Sequence, residues 1–257
     1  MGAETIQIFA SNPRGWKPTI HTPAAGQEFV VAAKAAGIDP IWIHMIYLVT
    51  YGTPDDDMRE KSVVALRQML ATADLLGVKG VITHMGSHKG LGLDQALERI
   101  KDSFTRALEG GQDSLLIMEN SAGSGGNIGN SLEELAMIYK IMDNHPRLAV
   151  CIDTAHAFTS GYDLRSATGV STFLDEFDRL IGLDRLVVMH LNDSKADIGT
   201  HVDRHENIGD GFIGLDGFRA LVNEPRLANV AGIMEVPGLD DKGPDAANLE
   251  RLRALTN

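Results

Sequence analysis

The sequence predicts an α/β protein with the fold of a parallel TIM-type (β/α)8 barrel, forming a single barrel domain over residues 1–257. Three observations support this prediction. Short apolar runs alternate with longer amphipathic stretches along the chain. The runs do not alternate between apolar and polar residues, as strands with one solvent-exposed face do. Nearly continuous apolar runs are typical of strands buried on both faces. The length of 257 residues also suits such a barrel. Alternating strands and helices build right-handed βαβ units and hence a parallel sheet.

Seven apolar runs are the predicted strands. In chain order they are Thr5–Phe9, Ile41–His44, Gly80–His84, Leu115–Glu119, Ala149–Asp153, Leu186–His190 and Gly232–Glu235. Amphipathic periodicity predicts helices at 58–77, 91–111, 131–143, 171–182 and 215–223. A closed barrel of this type has eight strands. Because the first run begins almost at the N-terminus, we expect the first β/α unit to be the missing one.

An open, doubly wound sheet is the alternative arrangement of the same units. Such sheets normally carry a glycine-rich phosphate-binding turn after the first strand. The first strand here continues into FASNPRGW, residues 9–16, which does not match that pattern. The barrel is therefore the preferred prediction.

Charge and cysteine content limit the functional classes. The formal net charge is −12, which by itself argues against a nucleic-acid-binding protein, because phosphate contacts need Lys and Arg. Bound cations would reverse the local field, however. The single cysteine, Cys151, excludes an intrachain disulfide and is compatible with a reducing compartment. With neither a signal-peptide pattern nor a membrane-length apolar stretch, we expect a cytoplasmic protein without a membrane partner.

Polar residues recur at the carboxyl ends of the predicted strands, where barrel enzymes build their sites. The residues at or just beyond these ends are His44, His84, Glu119, Asp153, His156, His190 and Glu235. The segment VDRH adds Asp203 and His205, whose spacing points both side chains the same way in an extended chain. We therefore expect nine imidazoles and carboxylates on one rim of the barrel.

Nine such groups on one rim predict a site for several metal ions. A lone His or Glu at a strand end is usually a satisfied polar residue, but so many together would repel or stay buried at a cost of several kcal/mol each. Imidazole and carboxylate without thiolate suit zinc or manganese more than copper or an iron–sulfur cluster. Nine ligands exceed the needs of one tetrahedral ion, and three ions fit if one carboxylate bridges two of them. Clustered ions are typical of enzymes that hydrolyse phosphate esters.

Five long segments carry a resemblance to a known family. They are THMGSH (83–88), ENSAGSGGNIG (119–129), CIDTAHAFTSGYDLR (151–165), HLNDSKADIGTHVDRHENIGDG (190–211) and MEVPG (234–238). On these segments the chain resembles the endonuclease IV family of zinc-dependent apurinic/apyrimidinic (AP) endonucleases, within the xylose-isomerase-like barrels. The resemblance implies a DNA-repair enzyme that hydrolyses the phosphodiester 5′ to abasic sites in double-stranded DNA and trims blocked 3′ ends.

The resemblance also implies three zinc ions and their ligands. The first ion would be held by His44, His84 and Glu119. Glu119, as the catalytic bridging carboxylate, would reach a second ion completed by Asp153, His190 and Glu235. The third ion would be held by His156, Asp203 and His205.

Residues that contact DNA follow from the same resemblance. Arg14, Tyr47 and Leu48 match positions that the family inserts into the duplex to bend it and flip out the abasic nucleotide. Basic residues next to the motifs predict a positive rim on an acidic body: Arg14, Lys17, Lys89, Arg165, Lys195 and Arg204. We expect a monomer that associates with the nucleoid when it is bound to DNA.

Two other functions compete with this interpretation. A sugar isomerase or epimerase of the xylose-isomerase-like kind would use one or two Mn²⁺ or Mg²⁺ ions, held by Glu119, Asp153, His190 and Glu235 alone. That reading leaves His44, His84, His156 and the VDRH pair unexplained. A DNA-damage binder without activity would need a missing ligand, and none is missing. Ile46 and Met85 depart from the usual Ser and Pro of the family, which affects fine geometry and not the ligands.

Overall fold

Seven parallel strands form one sheet in the computed structural model, which describes residues 2–257. In sheet order they are β1 (Ile6–Ile8), β2 (Ile41–His44), β3 (Gly80–Thr83), β4 (Leu115–Glu119), β5 (Leu148–Asp153), β6 (Leu186–His190) and β9 (Ala231–Ile233). A hairpin, β7 (Asp193–Ser194) and β8 (His205–Glu206), intervenes in the chain and stands apart from the sheet. The barrel fold expected from the sequence is confirmed, with a strand in each of the seven expected runs.

The barrel is nearly closed and has one open edge. Within residues 2–257, each strand of the sheet pairs with the next, but no ladder joins β9 back to β1. The two outer strands therefore each keep one edge without a strand partner.

Eight α-helices accompany the strands in the described part of the chain. They are α1 (Pro23–Ala35), α2 (Asp56–Leu75), α3 (Leu93–Leu108), α4 (Leu132–Ile141), α5 (Thr154–Thr159), α6 (Ala167–Leu180), α7 (Gly214–Val222) and α8 (Ala246–Arg253). The five helices predicted from periodicity are present, with boundaries shifted by a few residues. Helices α1, α5 and α8 were not predicted from the sequence; in α1, Gly26 is the only buried residue and apolar side chains fall on all sides. Among residues 2–257, no helix combines the length and apolar character needed to cross a membrane.

Side-chain caps fix where several helices begin. Asp55, Ser131, Ser166 and Asp245 each accept a hydrogen bond from a backbone N–H in the first turn of the helix that follows. Such caps satisfy donors that have no partner within the helix. The caps thus mark the ends of the loops that connect strands to helices.

The strands alternate between two cores. Their inward side chains form a small core inside the barrel: Trp42, Ile82, Ile117, Ala149, Cys151, Val188 and Ile233. The opposite side chains pack against the helices in a larger core. Cys151 is fully buried, and burial raises the pKa of its thiol to about 12, so it is no nucleophile at neutral pH.

Phe104 tests the packing between α3 and the sheet. Its ring is fully buried and meets the ring of Tyr51 edge-on, with centroids 5.1 Å apart. We expect Phe104→Ala to lower the free energy of unfolding by about 3–5 kcal/mol, because it removes this ring and leaves a cavity. Denaturant unfolding measures the change. Val64→Ala, at an exposed position of α2, is the matched control and should change stability by about 0.5 kcal/mol or less; equal losses in the two variants would contradict this packing.

Candidate metal centre

Strand alternation carries the predicted ligands to one end of the barrel. In β4, Glu119 lies two residues after the inward-facing Ile117, and in β6, His190 lies two residues after Val188. Because side chains alternate with a period of two, the ligand in each case extends the inward row. The same step from an inward core residue places four more: His44, His84, Asp153 and Glu235.

The structure brings the nine predicted residues together. Three overlapping sets have one possible ligand atom per residue, all within 4.8 Å of one another: His44, His84 and Glu119; Glu119, Asp153, His190 and Glu235; Asp153, His156 and His205. The ninth residue, Asp203, has Oδ1 3.2 Å from His156 Nε2 and 3.6 Å from His205 Nε2. Asp153 therefore neighbours two sets, which the sequence did not suggest. We call these nine residues the metal centre.

Glu119 lies where two of the sets meet. Its Oε2 is 3.0 Å from His44 Nε2 and 3.4 Å from His84 Nε2, whereas its Oε1 is 3.0 Å from His190 Nδ1. Burial raises the pKa of this carboxyl, but the surrounding histidines outweigh burial and hold it well below its usual value. Glu119 is thus an ionised carboxylate whose two oxygens face different sets, as a bridging ligand requires.

The histidines are oriented by bonds on their far sides. Four of them can donate one ring N–H to a fixed oxygen: His44 Nδ1 to Met45 O (2.8 Å), His156 Nδ1 to Asn120 O (3.1 Å), His205 Nδ1 to Glu235 O (3.3 Å) and His190 Nε2 to Gln7 Oε1 (2.8 Å). A metal-binding imidazole typically uses its other nitrogen in this way. Each ring therefore turns its remaining nitrogen towards the carboxylates.

Two buried nitrogens support a fit to metal ions. His156 Nε2 and His205 Nε2 lie 3.2 and 3.4 Å from carboxylate oxygens of Asp203 and Asp153, but neither forms a hydrogen bond with any atom of residues 2–257. A buried polar atom without a partner costs about 1–3 kcal/mol. A cation would supply the missing partner, and nitrogen and oxygen donors without thiolate suit zinc or manganese. The residues present therefore fit divalent metal ions.

His156 and Asp203 form a charged pair. Burial lowers the pKa of His156, but the carboxylates of Asp153, Asp203 and Glu119 outweigh burial and raise it to about 10. The contact with His156 lowers the pKa of Asp203 to about 2. Protons on the histidines balance the clustered carboxylates of the protein alone, and a bound divalent cation would displace such protons.

Two asparagines position Asp153 and Glu235, and neither was predicted from the sequence. Asn192 donates from Nδ2 to Asp153 Oδ2 (2.6 Å), and its Oδ1 accepts the backbone N–H of Glu235 (2.7 Å). Asn120 binds the backbone N–H of Asp153 at 2.6 Å and its C=O at 3.2 Å. Asn120 directly follows Glu119 in ENS, and Asn192 lies two residues after His190 in HLND; this closeness to strand-end ligands is the signal that could have found them.

The predicted DNA-contacting residues lie beside the centre. Tyr47 is 57% exposed and Leu48 is 37% exposed. The backbone N–H of Tyr47 donates to Pro13 O (2.9 Å). This hydrogen bond keeps the loop of the exposed Arg14, the residue after Pro13, next to Tyr47. The ring of Phe9, which the sequence analysis did not single out, lies 5.4 Å from Tyr47 and 5.5 Å from His44, centroid to centroid.

The six basic residues predicted for the rim are all exposed. Arg165 pairs with Asp163 at 2.7 Å, and Lys195 contacts Glu206 at 3.5 Å. The others form no ion pair within 4.0 Å among residues 2–257: Arg14, Lys17, Lys89 and Arg204. These four positive charges remain available to an anionic ligand.

A cavity of about 1740 Å³ reaches the metal centre. Its walls include His44, Glu119 and Asp203 at the carboxyl end of the strands, and Glu4 and Asp184 at the other end. It therefore extends along the open edge between β1 and β9 and is larger than the space around the metal centre.

Comparison with known proteins identifies the family. The family described as xylose isomerase-like TIM barrel matches residues 1–255. A protein named probable endonuclease 4 from Methanoculleus marisnigri is 42% identical over 256 residues, covering 99% of this chain and 90% of that protein. The chain belongs to the endonuclease IV family.

Solved structures agree with this family. The crystal structure of endonuclease IV from Thermus thermophilus superposes with a TM-score of 0.86 at 38% identity, covering 99% of this chain and 89% of that one. A D-tagatose 3-epimerase-like protein superposes with a TM-score of 0.74 at 17% identity, which shows a shared fold alone. Of these two structures, endonuclease IV has both the higher TM-score and the higher sequence identity to this chain.

Asp193 anchors the hairpin that carries part of the centre in this endonuclease IV chain. Its buried carboxylate accepts the backbone N–H groups of Gly209, Gly211 and Ile213 at 2.9–3.0 Å. In the β7–β8 ladder, Asp193 pairs with Glu206, directly after His205. The carboxylate thus fixes the chain that leaves β8 and, through it, the position of His205.

We expect Asp193→Ala to lower the free energy of unfolding by about 3 kcal/mol, because one buried and two partly buried N–H donors lose their acceptor. Amide exchange should accelerate at Gly209, Gly211 and Ile213. Denaturant unfolding and hydrogen exchange measure the two effects. Asp113→Ala, at an exposed position, is the control and should change neither. Unaltered exchange in the 209–214 segment of Asp193→Ala would contradict the anchoring role.

Proposed function

We propose that this chain is a DNA-repair endonuclease that hydrolyses the phosphodiester 5′ to abasic sites in double-stranded DNA and trims blocked 3′ ends, with three zinc ions bound. The observation that carries the proposal is the convergence of nine imidazoles and carboxylates into overlapping sets around one buried carboxylate, Glu119. The membership of the endonuclease IV family, at 42% identity to a protein named probable endonuclease 4, supports it.

The ligands divide among three ions in this proposal. His44, His84 and Glu119 would hold the first; Glu119, Asp153, His190 and Glu235 would hold the second; His156, Asp203 and His205 would hold the third. Ions held there would lower the pKa of water and neutralise charge on the phosphodiester. The protein contributes charge and position: Glu119 stays ionised, and the far-side hydrogen bonds fix the imidazoles.

One side of the centre is open to a substrate. The side chains of His84, Asp203 and His205 are 32%, 57% and 18% exposed, whereas Glu119 and Asp153 are fully buried. A phosphodiester therefore approaches over the exposed ligands while the buried carboxylates remain shielded. Since each chain carries all nine ligands, a monomer suffices for activity.

Residues beside the centre select the abasic site. A nucleotide without a base is the cheapest to flip out of a duplex, because no pairing is lost. Tyr47 and Leu48 present exposed apolar surface that can occupy the space left in the stack. Arg14, Lys17, Lys89 and Arg204 supply phosphate contacts despite the acidic net charge.

The sugar-isomerase alternative accounts for less of the site. It uses the set formed by Glu119, Asp153, His190 and Glu235, which the structure does bring together. It leaves without a role the histidines of the first set, His44 and His84, and those of the third set, His156 and His205. A multinuclear phosphodiesterase uses all of them.

Incubation of zinc-loaded protein with a duplex that carries one abasic analogue tests the proposal. We expect single-strand incision 5′ to the analogue, lost after chelation and restored by added zinc. Glu119→Gln should lower the incision rate by about 10²–10³-fold or more, because the charge that faces two sets of ligands is removed. Gel analysis of the labelled strand measures both results.

Glu133→Gln is the matched control, because Glu133 is exposed on α4. It should cut at the parental rate. Undiminished incision by Glu119→Gln, or by the chelated protein, would refute the metal-dependent mechanism. Turnover of a ketose or aldose without DNA incision would favour the isomerase.

Tyr47→Ala should weaken binding to the abasic duplex by about fivefold or more, because stacking of an aromatic side chain on bases contributes about 1–3 kcal/mol. Zinc content should stay the same, since Tyr47 supplies no ligand atom. Equilibrium binding and metal analysis measure the two quantities. Tyr47→Phe keeps the ring and should bind almost as the parent does. Parallel loss of zinc and DNA binding in Tyr47→Ala would show that this residue only supports the fold.

A further inference from the structure

Gln7 joins two ligands of the metal centre. Its Nε2 donates to Glu235 Oε1 at 2.7 Å, and its Oε1 lies 2.8 Å from His190 Nε2. Gln7 lies in β1 in register with Trp42, a residue of the inner core, so its side chain also faces the barrel interior. The amide thus connects the first strand to residues 183 and 228 positions away.

Chemistry fixes which way this amide points. An ionised carboxylate can only accept, so the NH₂ group of Gln7 must face Glu235. The amide oxygen then faces His190 and can only accept, so Nε2 of His190 keeps its proton. Nδ1 is the nitrogen left for a cation, and it lies 3.0 Å from Glu119 Oε1 and 3.3 Å from Glu235 Oε2.

The hydrogen bond from Gln7 matters for Glu235 because of where Glu235 lies in the sheet. It follows β9, an outer strand that pairs on one side with β6 and has no ladder to β1 in residues 2–257. Its side chain is 25% exposed, whereas that of His190 is fully buried. Because Gln7 binds Oε1 of Glu235, Oε2 of Glu235 remains directed at His190 Nδ1, 3.3 Å away. A side chain thereby spans the edge where backbone pairing is missing.

We propose that Gln7 is a positioning residue that orients His190 and Glu235 towards the same cation. This inference rests on the metal centre of the proposed function and adds to it a residue that supplies no ligand atom itself. Groups that orient metal ligands typically change metal affinity by about 10–100-fold when they are removed. The effect should be confined to the ion that His190 and Glu235 share.

Metal titration of three variants tests the proposal. Gln7→Met has a similar length and no hydrogen-bonding amide, Gln7→Glu retains an acceptor for His190, and Gln95→Met alters an exposed glutamine of α3 as the matched control. Each metal-free protein is titrated with Zn²⁺ against a competing chelator and with Co²⁺ by visible absorption. Thermal unfolding of the metal-free proteins is recorded in parallel.

We expect Gln7→Met to bind one of three ions about 10–100-fold more weakly, with a changed Co²⁺ spectrum for that ion alone. The other two ions should bind as tightly as in the parent, and the unfolding midpoint of the metal-free protein should fall by only a few degrees, because His190 Nε2 loses its acceptor. Gln7→Glu should recover part of the affinity, since it restores the acceptor for His190 but not the donor to Glu235. Gln95→Met should behave as the parent does in every measurement.

Three results would overturn the inference. Parental affinity for all ions in Gln7→Met would remove the positioning role and leave the proposed metal centre intact. Equal weakening of all ions together with a lower midpoint of the metal-free protein would show a purely structural role. Failure of the parent protein itself to bind Zn²⁺ or Co²⁺ would refute the metal centre and the role of Gln7 with it.

Discussion

The arrangement around Glu119 depends on one constraint: a buried carboxylate must be balanced by positive charge. Glu119 is 1% exposed, and its two oxygens contact histidines from different strands. Without compensation, a buried charge of this kind costs several kcal/mol. Protonated histidines or divalent cations provide the compensation. Histidines of two neighbouring sets therefore contact one shared carboxylate. A carboxylate that bridges two metal ions requires the same arrangement.

The barrel makes that convergence possible. Side chains alternate along each strand, so a ligand two residues beyond an inward core residue points to the same axis in every strand. His44, Glu119 and His190 come from three different strands and still lie within hydrogen-bonding distance of one another through Glu119. The apolar residues of the inner core form the floor beneath them. The alternation of side chains along the strands therefore places both the apolar core residues and the metal-centre residues.

Neutral groups orient six of the nine ligands. Backbone carbonyls hold His44, His156 and His205, and the side-chain amides of Asn192 and Gln7 hold Asp153, His190 and Glu235. A neutral acceptor fixes a histidine without adding to the negative charge of the centre. The sheet is open between β1 and β9. The hydrogen bond from Gln7 to Glu235 therefore links the two strands where no backbone ladder joins them in residues 2–257.

The sequence by itself determined the seven strands, the barrel and the types of residue at the strand ends, because apolar runs and the period of two are local properties. It did not predict α5 or α8, which are short, or α1, whose apolar residues show no single face. Only the tertiary structure decided that Asp153 neighbours two sets of ligands, and that Gln7, Asn120 and Asn192 orient them. These relations join residues that are dozens to hundreds of positions apart, and amides carry no charge pattern that marks them in a sequence. They depend on distances that exist only once the strands have closed around a common axis.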